Sequence, residues 1–103
     1  MTDESSLPLR DRSFTAHTPD ESVWVRVSLR GETRVQLEPA AMRRPGHEVA
    51  ERVMACADVA YLLGQLALRR ELERAYLADA AAAVDGMPTP SDLAAAQERL
   101  GRL

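Results

Sequence analysis

Apolar and polar positions alternate from Ser13 onward. Phe14 and Ala16 stand between Ser13, Thr15 and His17, and a Thr18-Pro19-Asp20-Glu21 turn cluster follows. Beyond it Val23, Val25, Val27 and Leu29 alternate with Trp24, Arg26, Ser28 and Arg30. A period of two in a Val-rich stretch predicts half-buried strands. Gly31 marks a tight hairpin, and Val35 and Leu37 carry the apolar face onto a return strand that Pro39 ends. The pattern predicts a three-stranded antiparallel meander with one apolar face.

After Arg43-Arg44-Pro45-Gly46 the period becomes helical. From 49 to 68 nearly every direction around the axis carries an apolar side chain, and only Glu51, Asp58 and Gln65 form a narrow polar line, with Arg52 as an outlier. A helix apolar all round is buried on most sides. One small sheet covers one flank, so a second copy of the chain is expected over the other. Val53, Cys56, Ala60, Leu63 and Leu66 are the expected dimer interface. Gly64 is the one Gly or Pro before Asp85-Gly86, which predicts roughly 38 helical residues, about 57 Å long. Whether the helix is straight or broken near Gly64 stays open. Its second half holds Arg69 and Glu73 at i, i+4 and then the near-pure alanine of 78–83, so the far end is expected to protrude.

Thr89-Pro90-Ser91-Asp92 reads as a helix start, with Thr89 as N-cap, Pro90 at the first helical position and Asp92 completing a capping box. The short helix that follows has Leu93, Ala96, Leu100 and Leu103 on one stripe. The division is therefore a flexible polar tail (1–11), a sheet plus long helix (12–86) and a Pro-linked C-terminal helix (87–103). The fold class is α+β, expected as a dimer.

Composition adds exclusions. All 13 basic residues are arginine, and lysine, asparagine and isoleucine are missing, which points to a high-GC genome of the actinobacterial kind. Net charge is −3: residues 1–46 hold seven arginines and seven acids, and 47–103 hold six and nine. That is no basic field of the kind nonspecific DNA binding uses, so nucleic acid is disfavoured as a partner. The lone Cys56 excludes an internal disulfide and, set in the apolar helix, reads as a small hydrophobe. His17 and His47 lack ligand spacing, no Gly-rich phosphate loop follows a strand, and no acid stands in a catalytic arrangement. No enzyme activity, metal or cofactor is expected. Arg69 and Arg70 cut the apolar run short of a membrane span, and a cytoplasmic location is expected.

Trp24 stands out. Its parity sets it opposite Val23 and Val25, on a face with Arg26, Arg30 and, across the hairpin, Arg34. These four are the candidate partner surface. An aromatic among arginines serves as a protein-interface anchor or as a stacking contact for nucleic acid; alternatively, Trp24 is an edge residue covering the end of the long helix.

Two resemblances bear on function. Ser13-Phe14-Thr15-Ala16, Ser22-Val23-Trp24-Val25-Arg26-Val27, Arg34-Val35-Gln36-Leu37-Glu38-Pro39-Ala40-Ala41-Met42 and Glu48-Val49-Ala50-Glu51-Arg52-Val53 together resemble the YbaB/EbfC-like family over a little more than half the chain. That resemblance implies a homodimer of sheets with projecting helices and, for some members, nucleoid-associated DNA binding. The chain lacks that family's long N-terminal helix and basic surplus, so no DNA-contacting residue is carried over. Gly86-Met87-Pro88-Thr89-Pro90-Ser91-Asp92-Leu93-Ala94-Ala95-Ala96 is similar to the ending of EspH-like proteins. This implies a type VII secretion accessory protein. The leading expectation is a non-enzymatic adaptor or chaperone-like module with a protein partner, and the alternative is a nucleoid-associated DNA-binding protein.

Overall fold

A computed structural model of the chain describes residues 7–103. Strands β1 (Ser13–His17), β2 (Val23–Ser28) and β3 (Thr33–Leu37) form an antiparallel sheet in the order β1-β2-β3. Helices α1 (Pro39–Met42), α2 (Gly46–Tyr76), α3 (Ala80–Ala83) and α4 (Pro90–Gly101) follow. The meander, the long helix and the short C-terminal helix are those the hydrophobic pattern predicts. At 52 × 33 × 18 Å the molecule is one layer of sheet and one of helix thick.

The register sets Ala16 opposite Val25 and Val25 opposite Val35, so the alternation of all three strands points one way, toward α2. Ala16, Val23 and Val25 from the sheet, Cys56, Val59 and Ala60 from α2, and Ala96 and Leu100 from α4 make the core. Gly64 lies inside α2 without breaking it. A Cβ there would stand 3.1 Å from Phe14 Cδ2 and 3.2 Å from Leu29 Cδ2, so the glycine lets sheet and helix approach closely.

Three expectations change. First, α2 has 31 residues, about 46 Å. Leu77 takes φ 31°, ψ −91°, and a 3-10 turn (Leu77–Asp79) and α3 bring the chain back, so that Arg69 Nη1 donates to Pro88 O at 3.3 Å. The far end of the helix therefore turns back instead of protruding. Alanines at 80–83 give propensity but little burial, so the chain gains more by reversing and docking α4.

Second, α4 lies antiparallel along α2, from Pro88 beside Arg69 to Leu103 O, which accepts from Arg52 Nη2 at 3.4 Å. Its capping box forms as expected, with Thr89 Oγ1 accepting from Asp92 N and an Asp92 carboxylate oxygen accepting from Thr89 N at 2.7 Å. The chain's own α4 thus covers the flank expected to need a second copy. Cys56, Ala60 and Leu66 are buried within one subunit, and Val53 and Leu63 pack partly buried against the same core. Of the five residues expected at a dimer interface, three are therefore internal to the subunit and two, Val53 and Leu63, are half-buried. Arg52 also departs from its reading as a polar outlier, being buried with Nη1 donating to Glu48 O at 3.1 Å.

Third, the part of the expected tail within the described residues is ordered locally. Leu9–Asp11 form a 3-10 turn, and Asp11 pairs with Arg30 at 3.0 Å. Residues 1–6 of that tail lie outside the described residues.

Candidate interaction surface

Helix α2 packs chiefly across β1 and β2 and leaves β3 largely uncovered. All five residues of β3 are exposed, and the inward-facing Val35 and Leu37 retain 47% and 37% of their accessible surface. Their side chains share the face of Val25 and Val23 but stay exposed where those two valines are buried. The third strand therefore has two open faces and an open edge.

The outer face carries Thr15, Trp24, Arg26, Arg34 and Gln36 around a shallow depression of about 460 Å³. Trp24 lies on the central strand, pointing away from α2, so it does not cover the end of the long helix. It is half-buried and fixed at two points: its ring lies 4.3 Å from that of His17, and Nε1 donates to Glu21 O at 2.8 Å. That carbonyl belongs to a turn held by Asp20. Asp20 Oδ1 accepts from Thr18 Oγ1 at 2.7 Å, Ser22 Oγ at 2.8 Å and Ser22 N at 3.1 Å. The Thr18 hydroxyl first and then Ser22 hold the Asp20 carboxyl well below the usual carboxylate range. The same turn places Glu21 at φ 60°. A chain of short contacts thus leads from a carboxylate to the indole.

Arg26 stands directly opposite Arg34 in the β2–β3 register. Like charges facing each other across a ladder destabilise it. Among the described residues neither makes an ion pair. Arg30 does not join them, because it sits in the hairpin turn against Asp11. Arg44 is engaged as well, 3.4 Å from Asp20. The structure therefore brings together Trp24, Arg26 and Arg34 of the candidate partner surface and separates Arg30. What sequence reading missed is His17 as a support for Trp24; the signal was there, since both residues sit at outward positions flanking one turn.

Burial pushes the Cys56 thiol up to about 11, and its Sγ lies 3.8 Å from Val23 O. Among the described residues no group of three or more His, Cys, Asp or Glu side chains is placed to hold a metal ion, and no helix is long and apolar enough to cross a membrane.

The model of a family described as a protein of unknown function, DUF2694, matches residues 8–102. The chain belongs to the DUF2694 family. That match takes in the whole sheet, α2 and α4, so the uncovered third strand and the Trp24 face both lie within the family's domain. No curated protein and no solved structure matches the chain.

Proposed function

We propose that this DUF2694 chain is a non-enzymatic, homodimeric adaptor or chaperone-like module that presents its sheet to a protein partner. The observation that carries the reading is the outer face, where an immobilised Trp24 adjoins Arg26 and Arg34, with no carboxylate on either arginine among the described residues. Tryptophan and arginine are the residues most enriched among interface anchors. An indole already held by His17 and the Glu21 carbonyl loses little freedom on binding. The facing arginines strain the free protein, and an acidic side chain of the partner would relieve that repulsion. The cytoplasm is the proposed compartment, and the similarity of residues 86–96 to EspH-like endings narrows the role to type VII secretion accessory protein.

The test is a comparison of wild type and Trp24→Ala as bait in an actinobacterial lysate, with light scattering on both. The reading expects a captured protein to be lost from the variant while the bait's mass stays the same. Equal capture by both baits would count against this face.

Nucleoid-associated DNA binding is the second reading, and Arg26 opposite Arg34 is the observation in its favour. Arg30 and Arg44 weaken it because acids of the same chain engage them. Fluorescence anisotropy with duplex DNA decides the point. A protein making several phosphate contacts loses about 10³–10⁵ in affinity between roughly 50 and 200 mM salt, so tight binding with that loss would favour DNA over a protein partner.

A further inference from the structure

The free edge of β3 has a definite hydrogen-bonding polarity. Ser28 N donates to Glu32 O at 2.9 Å and Glu38 N donates to Ser22 O at 2.8 Å. In an antiparallel ladder the bonded pairs alternate, so the even-numbered residues of β3 bond to β2. The N–H and C=O groups of Thr33, Val35 and Leu37 consequently point outward, away from the sheet. An open edge of this kind is a template for another strand.

We infer that the strand is β3 of a second copy, paired antiparallel about a two-fold axis at Gln36. This rests on the homodimer reading above and assigns its interface. Sequence parity and charge select the register. A continuous sheet pairs inward residues with inward residues, so the axis falls on a residue of β3 and not between two. An axis at Arg34 stacks that arginine on its own copy, and an axis at Val35 sets Glu32 against Glu38 of the second copy. An axis at Thr33 draws in Gly31, which sits at φ 87° and is not extended. With the axis at Gln36, Arg34 meets Glu38 of the second copy, and this happens twice by symmetry. Val35 meets Leu37 of the second copy on the inward face, and these two exchange both backbone hydrogen bonds. The ladder then ends naturally at Pro39, which has no N–H to offer.

Glu38 is already held on the outer side of the strand, because the Gln36 side-chain amide donates to its carboxylate. Arg34, which like Arg26 makes no ion pair among the described residues, faces Arg26 across the ladder. The second copy therefore neutralises one of the two facing charges and leaves Arg26 beside Trp24 for the protein partner. The product is a six-stranded sheet with both α2 helices on one face.

Two kinds of variant test this in the full chain. Residues at the axis of a non-hydrogen-bonded pair lie about 4.5 Å apart at Cα, within disulfide range. Gln36→Cys should oxidise to a covalent dimer, whereas Val35→Cys should not, and the native Cys56 is fully buried and does not interfere. Arg34→Glu should reduce the light-scattering mass from twice 11.3 kDa to 11.3 kDa, and Arg34→Glu/Glu38→Arg should restore it. The single reversal removes a like-charge pair within the subunit, so the monomer it releases stays folded. A monomeric wild type would overturn the homodimer reading itself and leave the edge to a strand of another protein. A dimeric wild type whose mass ignores Arg34→Glu and whose Gln36→Cys variant fails to cross-link would keep the dimer and overturn this interface. Cross-linking through Val35→Cys alone would overturn the register.

Discussion

Replacing Leu100 with alanine tests the arrangement of the two helices most directly. Leu100 keeps 8% of its accessible surface and, with Val59 and Leu63 of α2 and Ala16 of β1, borders an open depression at one side of α4. Truncation removes three carbons, worth about 0.8 kcal/mol each in lost transfer free energy, or roughly 2.4 kcal/mol. The cavity left behind adds a further term, but the neighbouring depression lets the site collapse, so the total belongs at the low end of the 2–5 kcal/mol range, about 2.5 kcal/mol. For a domain of this size that is a fall in Tm of roughly 10–20 °C. Urea unfolding followed by far-ultraviolet circular dichroism at fixed protein concentration measures it, as a midpoint lowered at unchanged slope. The exposed neighbour Gln97→Ala serves as the control and should stay within about 0.5 kcal/mol of wild type. If Leu100→Ala moved no further than that control, α4 would not be docked on its own α2. The second flank of the long helix would then be bare, and the expectation of another copy covering it would return.

Gly64→Val should destabilise by about 1–3 kcal/mol, since even a Cβ there stands 3.1 Å from Phe14; thermal unfolding reads the loss, and a neutral result would mean the sheet and helix are less closely apposed. Asp20→Asn addresses pH. A carboxyl held below its unfolded value gives stability that is complete above about pH 4 and is lost as pH falls toward the folded value, because the unfolded chain then binds more protons. The variant should therefore show a flatter acid limb in urea midpoints measured across that range, and an unchanged slope would remove Asp20 as its cause. Cys56, with its thiol raised to about 11 and fully buried, should react with a thiol reagent only as the protein unfolds. Labelling of the native protein as fast as labelling in urea would contradict its placement.

The candidate partner surface was legible in part. Alternation alone set Trp24, Arg26 and Arg34 on one side of the sheet, because the period of a strand fixes the face of each residue once one face is apolar. It misplaced Arg30, since parity does not carry through a hairpin: the chain turns after Ser28, and Arg30 faces the Asp11 turn. Nor could alternation reveal that α2 would lie over two strands and not three, because Val35 and Val25 look alike as sequence and differ only in what stands above them.

The sequence by itself determined the local elements and their order. The strands follow from a period of two, α2 from its dense apolar helical run, and α4 from Thr89, Pro90 and Asp92, whose capping chemistry operates within four residues. Only the tertiary structure decided where α2 ends and what covers it. Nothing local breaks the helix at Leu77, and a residue at φ 31° is an unfavourable local choice. The reversal is stabilised at a distance, by Ala96 and Leu100 packing onto the flank of α2 and by Arg69 reaching Pro88. Such contacts join positions tens of residues apart, and hydrophobic burial has no direction along the chain. A pattern can therefore say that a flank must be covered without saying whether the same chain or another one covers it.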